Sequence, residues 1–243
     1  MAEPQLGVIA AGHEVTAQVG ADVLRSGGNA VDAALGAMLA SFACEPLLTG
    51  PGAGGYMLVF EPGAEPVLLD FFVEAPGRGA DPEARAELIP ITVSFGDAVQ
   101  VFNIGAASVG TYGTPAGVHA AAARFGRIPL ADLVQPAVRL ARDGVNVTQR
   151  QAYLFEILGD IVLSTPECAA VFAPGGTLPR AGDTIRQPEL ADALERLGRE
   201  GPAPFYTGDL ARAIADWVTE RGGMLTAQDL GFYKELNRTG RAS

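Results

Sequence analysis

The sequence predicts an α+β fold with helical and sheet layers packed face to face. Three observations carry this. Residues 30–42 form a helical segment that is apolar nearly all round, short strand-like segments cluster between residues 56 and 102, and the chain turns mostly helical from residue 114 onward. The sequence does not alternate strictly between strand and helix, which argues against a doubly wound parallel sheet.

Residues 7–11 read as a short strand. A helix over residues 13–26 places Val15, Val19 and Val23 on one face at i, i+4 spacing, and Gly27 and Gly28 end it. Asn29 is a candidate cap for the helix over residues 30–42. There Val31, Ala33, Ala34, Leu35, Ala37, Met38 and Leu39 leave almost no polar face, so that helix belongs inside the protein. The run from Gly50 to Gly55 is a backbone suited to close approach. Residues 56–60 and 66–71 read as strands joined at Pro62-Gly63, and residues 91–95 and 99–102 as two more, with residues 77–87 polar and irregular. Thr114-Pro115 reads as an N-cap followed by proline at the first helical position, opening a helix over residues 116–125. The helix over residues 130–143 kinks or restarts at Pro136. Thr148 and Gln151 form a capping box, and Thr226 and Asp229 form another. Leu190, Leu194 and Leu197 mark a helix over residues 188–199, and Leu210, Ile214 and Val218 one over residues 209–221. Residues 1–112 are expected to carry the first helices and the strands, and residues 113–243 the mainly helical part of the same domain.

The 243 residues carry a net charge of −11, which disfavours nucleic acid and an anionic membrane face as partners. The longest apolar stretch, residues 30–44, contains Asp32 and is short for a bilayer span. Residues 1–12 show neither a basic start nor a long apolar run, so a cytoplasmic location is expected, or a periplasmic or secreted one if a natural leader is missing. Cys44 and Cys168 lie far apart with no C-x-x-C or Cys/His cluster, so two free, buried thiols and no metal or cofactor are expected.

Several motifs suggest chemistry without completing it. Gly50, Gly52 and Gly55 fit G-x-G-x-x-G, but the run follows a helix and opens a strand, the reverse of a dinucleotide site. Ser108 lacks the first glycine of a nucleophile elbow and has no histidine base placed for it, since His13 and His119 fall on helices. Asp70 and Glu74 lie four apart at a strand end, a spacing that turn and cap hydrogen bonds also explain.

Against this background a resemblance stands out. Gly7-Val8-Ile9-Ala10-Ala11-Gly12-His13, the run from Leu24 to Ala34, Glu45-Pro46 with Gly50 to Met57, Gly113-Thr114-Pro115-Ala116-Gly117, Pro136 to Gly144, Gly201 to Gly208 and Gly222 to Leu230 together resemble the γ-glutamyltransferase family over residues 7–238. The resemblance implies an N-terminal nucleophile hydrolase with an αββα sandwich, made as one precursor that cleaves itself. The nucleophile is then the N-terminal threonine of the second subunit, whose α-amine can serve as base. Members transfer or hydrolyse γ-glutamyl groups, typically from glutathione, and relatives hydrolyse side-chain amides of β-lactams.

This chain resembles the large-subunit portion, so the sandwich is expected to be incomplete in it and the threonine to lie beyond Ser243. No catalytic residue is therefore expected here. A small-subunit polypeptide is the expected partner and a small γ-glutamyl or related amide the expected substrate. The chain alone is expected to be inactive and poorly soluble. The alternative is a non-catalytic fragment or pseudoenzyme acting by association. The family's substrate segment L-D-F-R-E-x-A-P is matched by Leu69-Asp70-Phe71-Phe72-Val73-Glu74-Ala75-Pro76. Asp70, Phe72 and Glu74 are thus the candidate substrate-binding residues, and Phe72 stands where the resemblance places an arginine that grips the substrate's α-carboxylate. Phenylalanine has no donor with which to replace it. Arg78 and Arg85 are the nearest alternative guanidiniums in the following loop.

Overall fold

The structure is a computed structural model that describes residues 7–81, 83 and 87–239. Helix α1 (Glu14–Arg25) begins at His13, whose Nδ1 accepts from the Val15 N–H at 3.2 Å. Helix α2 (Ala30–Cys44) begins with a reciprocal capping box between Asn29 and Asp32. The Asp32 carboxylate is fully buried, and it also accepts from the N–H groups of Arg127 at 3.0 and 3.1 Å and Ile128 at 3.3 Å. These backbone donors replace the water that burial removes. The signature around Asn29 and Asp32 therefore pins the start of α2 to a distant loop as well as capping a helix.

Strands β1 (Gly55–Val59) and β2 (Val67–Phe71) are antiparallel neighbours, with Tyr56 opposite Asp70 and Met57 opposite Leu69. Strands β3 (Ile89–Ser94) and β4 (Val99–Ile104) form a separate hairpin. Helix α3 (Thr114–Phe125) follows, then α4 (Leu130–Leu133) and α5 (Gln135–Asp143), which restart across Val134 with Pro136 in the first turn of α5. The second half continues through β5 (Val145–Asn146), α6 (Gln149–Ile157), α7 (Gly159–Val162), α8 (Pro166–Phe172), β6 (Thr184–Ile185), α9 (Pro188–Glu200), α10 (Ala203–Tyr206), α11 (Asp209–Glu220), α12 (Ala227–Phe232) and β7 (Leu236–Thr239). β7 returns to pair antiparallel with β2, placing β2 centrally in the order β1-β2-β7.

The core is built on α2, whose Leu35 and Leu39 are fully buried among Leu69 and Phe71 of β2, Val118 of α3, Val138 of α5 and Leu194 of α9. A satellite cluster of Val147, Phe155, Val162 and Ile185 lies under α6 and α7. Among the described residues, no helix is long and apolar enough to cross a membrane.

Three expectations are corrected. Residues 7–11 are not a strand: they run as coil beside the helices, with Ile9 packed against Gly20 of α1 and, among the described residues, no strand alongside. Thr114 is the first helical residue and not the cap. Gly113 and Thr114 both donate to the Ala53 carbonyl at 3.0 Å, which moves the cap back to Gly113. Cys168 is free but exposed at the start of α8, whereas Cys44 is free and buried as expected.

Candidate functional site

The candidate residues sit where β2 leaves the sheet. β2 alternates: Leu69 and Phe71 face the core, while Asp70 and then Phe72 face the other way. Phe71 is held by glycines that allow close approach. A Cβ at Gly117 would lie 2.1 Å from the Phe71 ring, and one at Gly113 would lie 2.0 Å from the Phe71 carbonyl oxygen. Gly54 presses from a third direction, since a Cβ there would come within 2.6 Å of the Val73 nitrogen. The G-T-P-A-G and glycine-rich motifs thus serve to seat this segment.

On the outward face, Asp70 Oδ1 accepts from the Phe72 N–H at 3.2 Å. The Phe72 ring stacks on Tyr56 with centroids 5.3 Å apart and planes 9° from parallel. Both rings are about half exposed, Phe72 at 49% and Tyr56 at 58%. The Phe72 carbonyl accepts from the Tyr233 hydroxyl at 2.8 Å. Tyr233 stacks in turn on Tyr206 at 5.5 Å, and Tyr206 lies against Tyr112 at 5.6 Å. Tyr112 donates to the Phe205 carbonyl at 2.6 Å and Tyr206 to the Tyr112 carbonyl at 3.1 Å. Burial raises all three phenols above their ordinary range, so they stay neutral donors.

Glu74 pairs its backbone with Thr111 through N–H···O contacts of 3.0 and 2.9 Å. Its carboxylate accepts from Arg78 Nη1 at 3.0 Å. The loop that follows is anchored by Asp229, which is fully buried and accepts from the N–H groups of Gly77, Arg78 and Thr226 at 2.8–3.1 Å. Burial alone pushes the Asp229 carboxyl up, but those backbone donors outweigh it and hold the group below the ordinary range.

The segment therefore offers an aromatic pair, one carboxylate beside it and an ion pair at its end. Asp70 and Phe72 share a face. Glu74 lies beyond them, engaged with Arg78. Arg85 lies outside the described residues. Tyr233, Tyr206 and Tyr112 leave no mark in the sequence, because nothing in their spacing announces a stack. The Thr226 to Asp229 box shows in the sequence only as a cap.

The other motifs fall into structural places. The run from Gly50 to Gly55 leads into β1, and Ser108 closes a single 3₁₀ turn (Ala106–Ser108), its hydroxyl donating to the Gly105 carbonyl at 2.8 Å. Burial pushes the Cys44 thiol up to about 11, so it is protonated at neutral pH. Among the described residues no group of three or more His, Cys, Asp or Glu side chains could hold a metal ion.

Comparison with known proteins places this geometry in a family. The gamma-glutamyltranspeptidase family profile matches residues 16–239. The chain is 36% identical to the glutathione hydrolase proenzyme of Escherichia coli, over 96% of its own length and 39% of that protein. It is 33% identical to the acylase ACY 1 proenzyme of a Pseudomonas species, over 98% of its length and 43% of that protein. Its structure matches that of Helicobacter pylori gamma-glutamyltranspeptidase with a TM-score of 0.84 at 28% identity, covering 98% of this chain and 67% of that one. The chain thus spans about two-fifths of the length of these proenzymes. The mixed helix and sheet layers are those of an N-terminal nucleophile hydrolase, and the chain belongs to the gamma-glutamyltranspeptidase family.

Proposed function

We propose that this chain is the large-subunit portion of a γ-glutamyltransferase-like amidohydrolase precursor. Residues 1–112 and 113–243 act as one domain that supplies the scaffold and one wall of the acyl pocket. That wall is Asp70, Phe72 and Glu74. The attacking threonine lies in a second polypeptide of the same precursor, and the 243 residues alone are inactive.

The observation that carries this is the outward face of the β1–β2 sheet. Tyr56, Leu58 and Phe60 are 58%, 69% and 67% exposed, and Phe72 stacks on Tyr56. An apolar row of this kind beside a candidate pocket wall fits a sheet that a second layer covers. Because Phe72 offers no donor to a carboxylate, the wall favours amides whose acyl group is less dependent on that contact than a γ-glutamyl group is.

The test is to express the gene that encodes this chain in full and weigh the purified product. Two polypeptides, the second beginning with threonine, and amide hydrolysis that stops when that threonine becomes alanine are the expected results. Hydrolysis by the 243-residue chain alone would overturn the assignment of roles, and an unprocessed product that hydrolyses no amide would overturn the enzyme reading.

A further inference from the structure

A cleft of about 310 Å³ opens where α6 meets the end of α2, and it shares no residue with the segment from Asp70 to Glu74. It lies at the seam between the main core and the satellite cluster. Gln151 of α6 donates to the Cys44 carbonyl and fixes the two elements together. The cleft has an apolar lining of Leu47, Leu48, Leu154 and Phe155, and a charged lining of Glu45 and Arg150.

The two charges are unusually placed. Glu45 is the residue that ends α2, so its carboxylate stands at the negative end of a 15-residue helix. Arg150 lies in the first turn of α6, at the positive end of a nine-residue helix capped by Thr148. Among the described residues, neither side chain has an ion-pair or hydrogen-bond partner. Glu45 is half-buried and Arg150 exposed, so both charges are open to a ligand in the cleft. The carboxylate and the helix end beside it suit a cation. The guanidinium and the free first-turn N–H groups of α6 suit an anion. The aliphatic lining suits a short apolar side chain.

We propose that this cleft binds a free α-amino acid with an aliphatic side chain, its ammonium at Glu45, its carboxylate at Arg150 and the start of α6, and its side chain against Leu48 and Leu154. The volume is at the lower end of small-molecule sites, which run from roughly 300 to 1,000 Å³, and so fits one residue better than a long peptide.

L-leucine is the probe, titrated calorimetrically into the full gene product. Saturable binding is expected. N-acetyl-leucine and leucinamide, each lacking one charge, should bind at least about tenfold more weakly, and glycine, lacking the side chain, should be weaker too. Glu45→Gln and Arg150→Gln should each lower leucine affinity about tenfold without lowering the thermal midpoint, since each removes a charge that opposes its helix dipole. Leu48→Ser, at a largely exposed lining residue, should also weaken binding in a folded protein. No saturable binding at millimolar leucine would overturn the proposal. So would equal affinity for N-acetyl-leucine, or leucine binding that neither charge substitution changes.

Discussion

Tyr233 donates its hydroxyl to the main-chain carbonyl of Phe72 at 2.8 Å, so a residue just after α12 holds the backbone of the candidate pocket wall in place. The bond ends a stack that begins at Tyr112, inside the core. Tyr233→Phe keeps the ring and the stack and removes only this bond. The expected loss of stability is about 1 kcal/mol, read from urea denaturation. If Phe72 belongs to the acyl wall, the Michaelis constant of the processed enzyme should rise while its turnover number changes less. A change in turnover alone would mean that the wall is not what Tyr233 positions.

Gly117 and Gly52 give a matched contrast. A methyl group on Gly117 would sit 2.1 Å from the Phe71 ring, whereas one on Gly52 would meet nothing within 4 Å. Gly117→Ala should therefore cost about 1–3 kcal/mol or more through overpacking. Gly52→Ala should stay within about 0.5 kcal/mol. Thermal unfolding of the two variants side by side checks this. Equal midpoints would mean that α3 can slide away from β2 without penalty.

Phe72→Arg should place a bidentate donor beside Asp70. The expected result in the full gene product is more than about tenfold tighter use of γ-glutamyl substrates, from a charge-assisted contact of roughly 1.5–3 kcal/mol. The Michaelis constant for a γ-glutamyl anilide measures it. An unchanged constant would remove Phe72 from the acyl wall. The aromatic stack on Tyr56 is lost in this variant, so Phe72→Leu serves as the control for packing alone.

How much of this was legible beforehand follows from the range of each cause. The Thr148 and Thr226 boxes and the restart at Pro136 were readable because cap and proline effects act within four residues. β3 and β4 were each readable as strands from their own residues, whereas their pairing into a separate hairpin was not read. Asn29 was recognisable as a cap, but the second duty of Asp32, holding Arg127 and Ile128, spans 95 residues and leaves no local mark. β7 escaped notice because only its pairing with β2 makes it a strand. Asp70, Phe72 and Glu74 came from a motif. That Asp70 and Phe72 share a face follows from strand period, while the stack of Phe72 on Tyr56 needed the register between β1 and β2.

Asp229 should make stability depend on acid. Its carboxyl is held below the ordinary range in the folded protein by the N–H groups of Gly77, Thr226 and Arg78, despite full burial. A folded-state value below the unfolded one means that the stabilisation is complete above the unfolded carboxyl value, about 3.9, and is lost as pH falls through the folded one. Unfolding free energy should therefore fall on acidification below about pH 4, with a slope that Asp229→Asn reduces. At neutral pH the same variant should lose about 1–3 kcal/mol, because an amide presents a donor to some of the donors that the carboxylate now accepts. The variant should also free the Gly77–Arg78 backbone and with it the Arg78 contact to Glu74, linking α12 to the far end of the candidate wall. Denaturation curves at a series of pH values test both parts. Parallel pH profiles for the two proteins would show that the buried carboxylate is not what the acid limb reports.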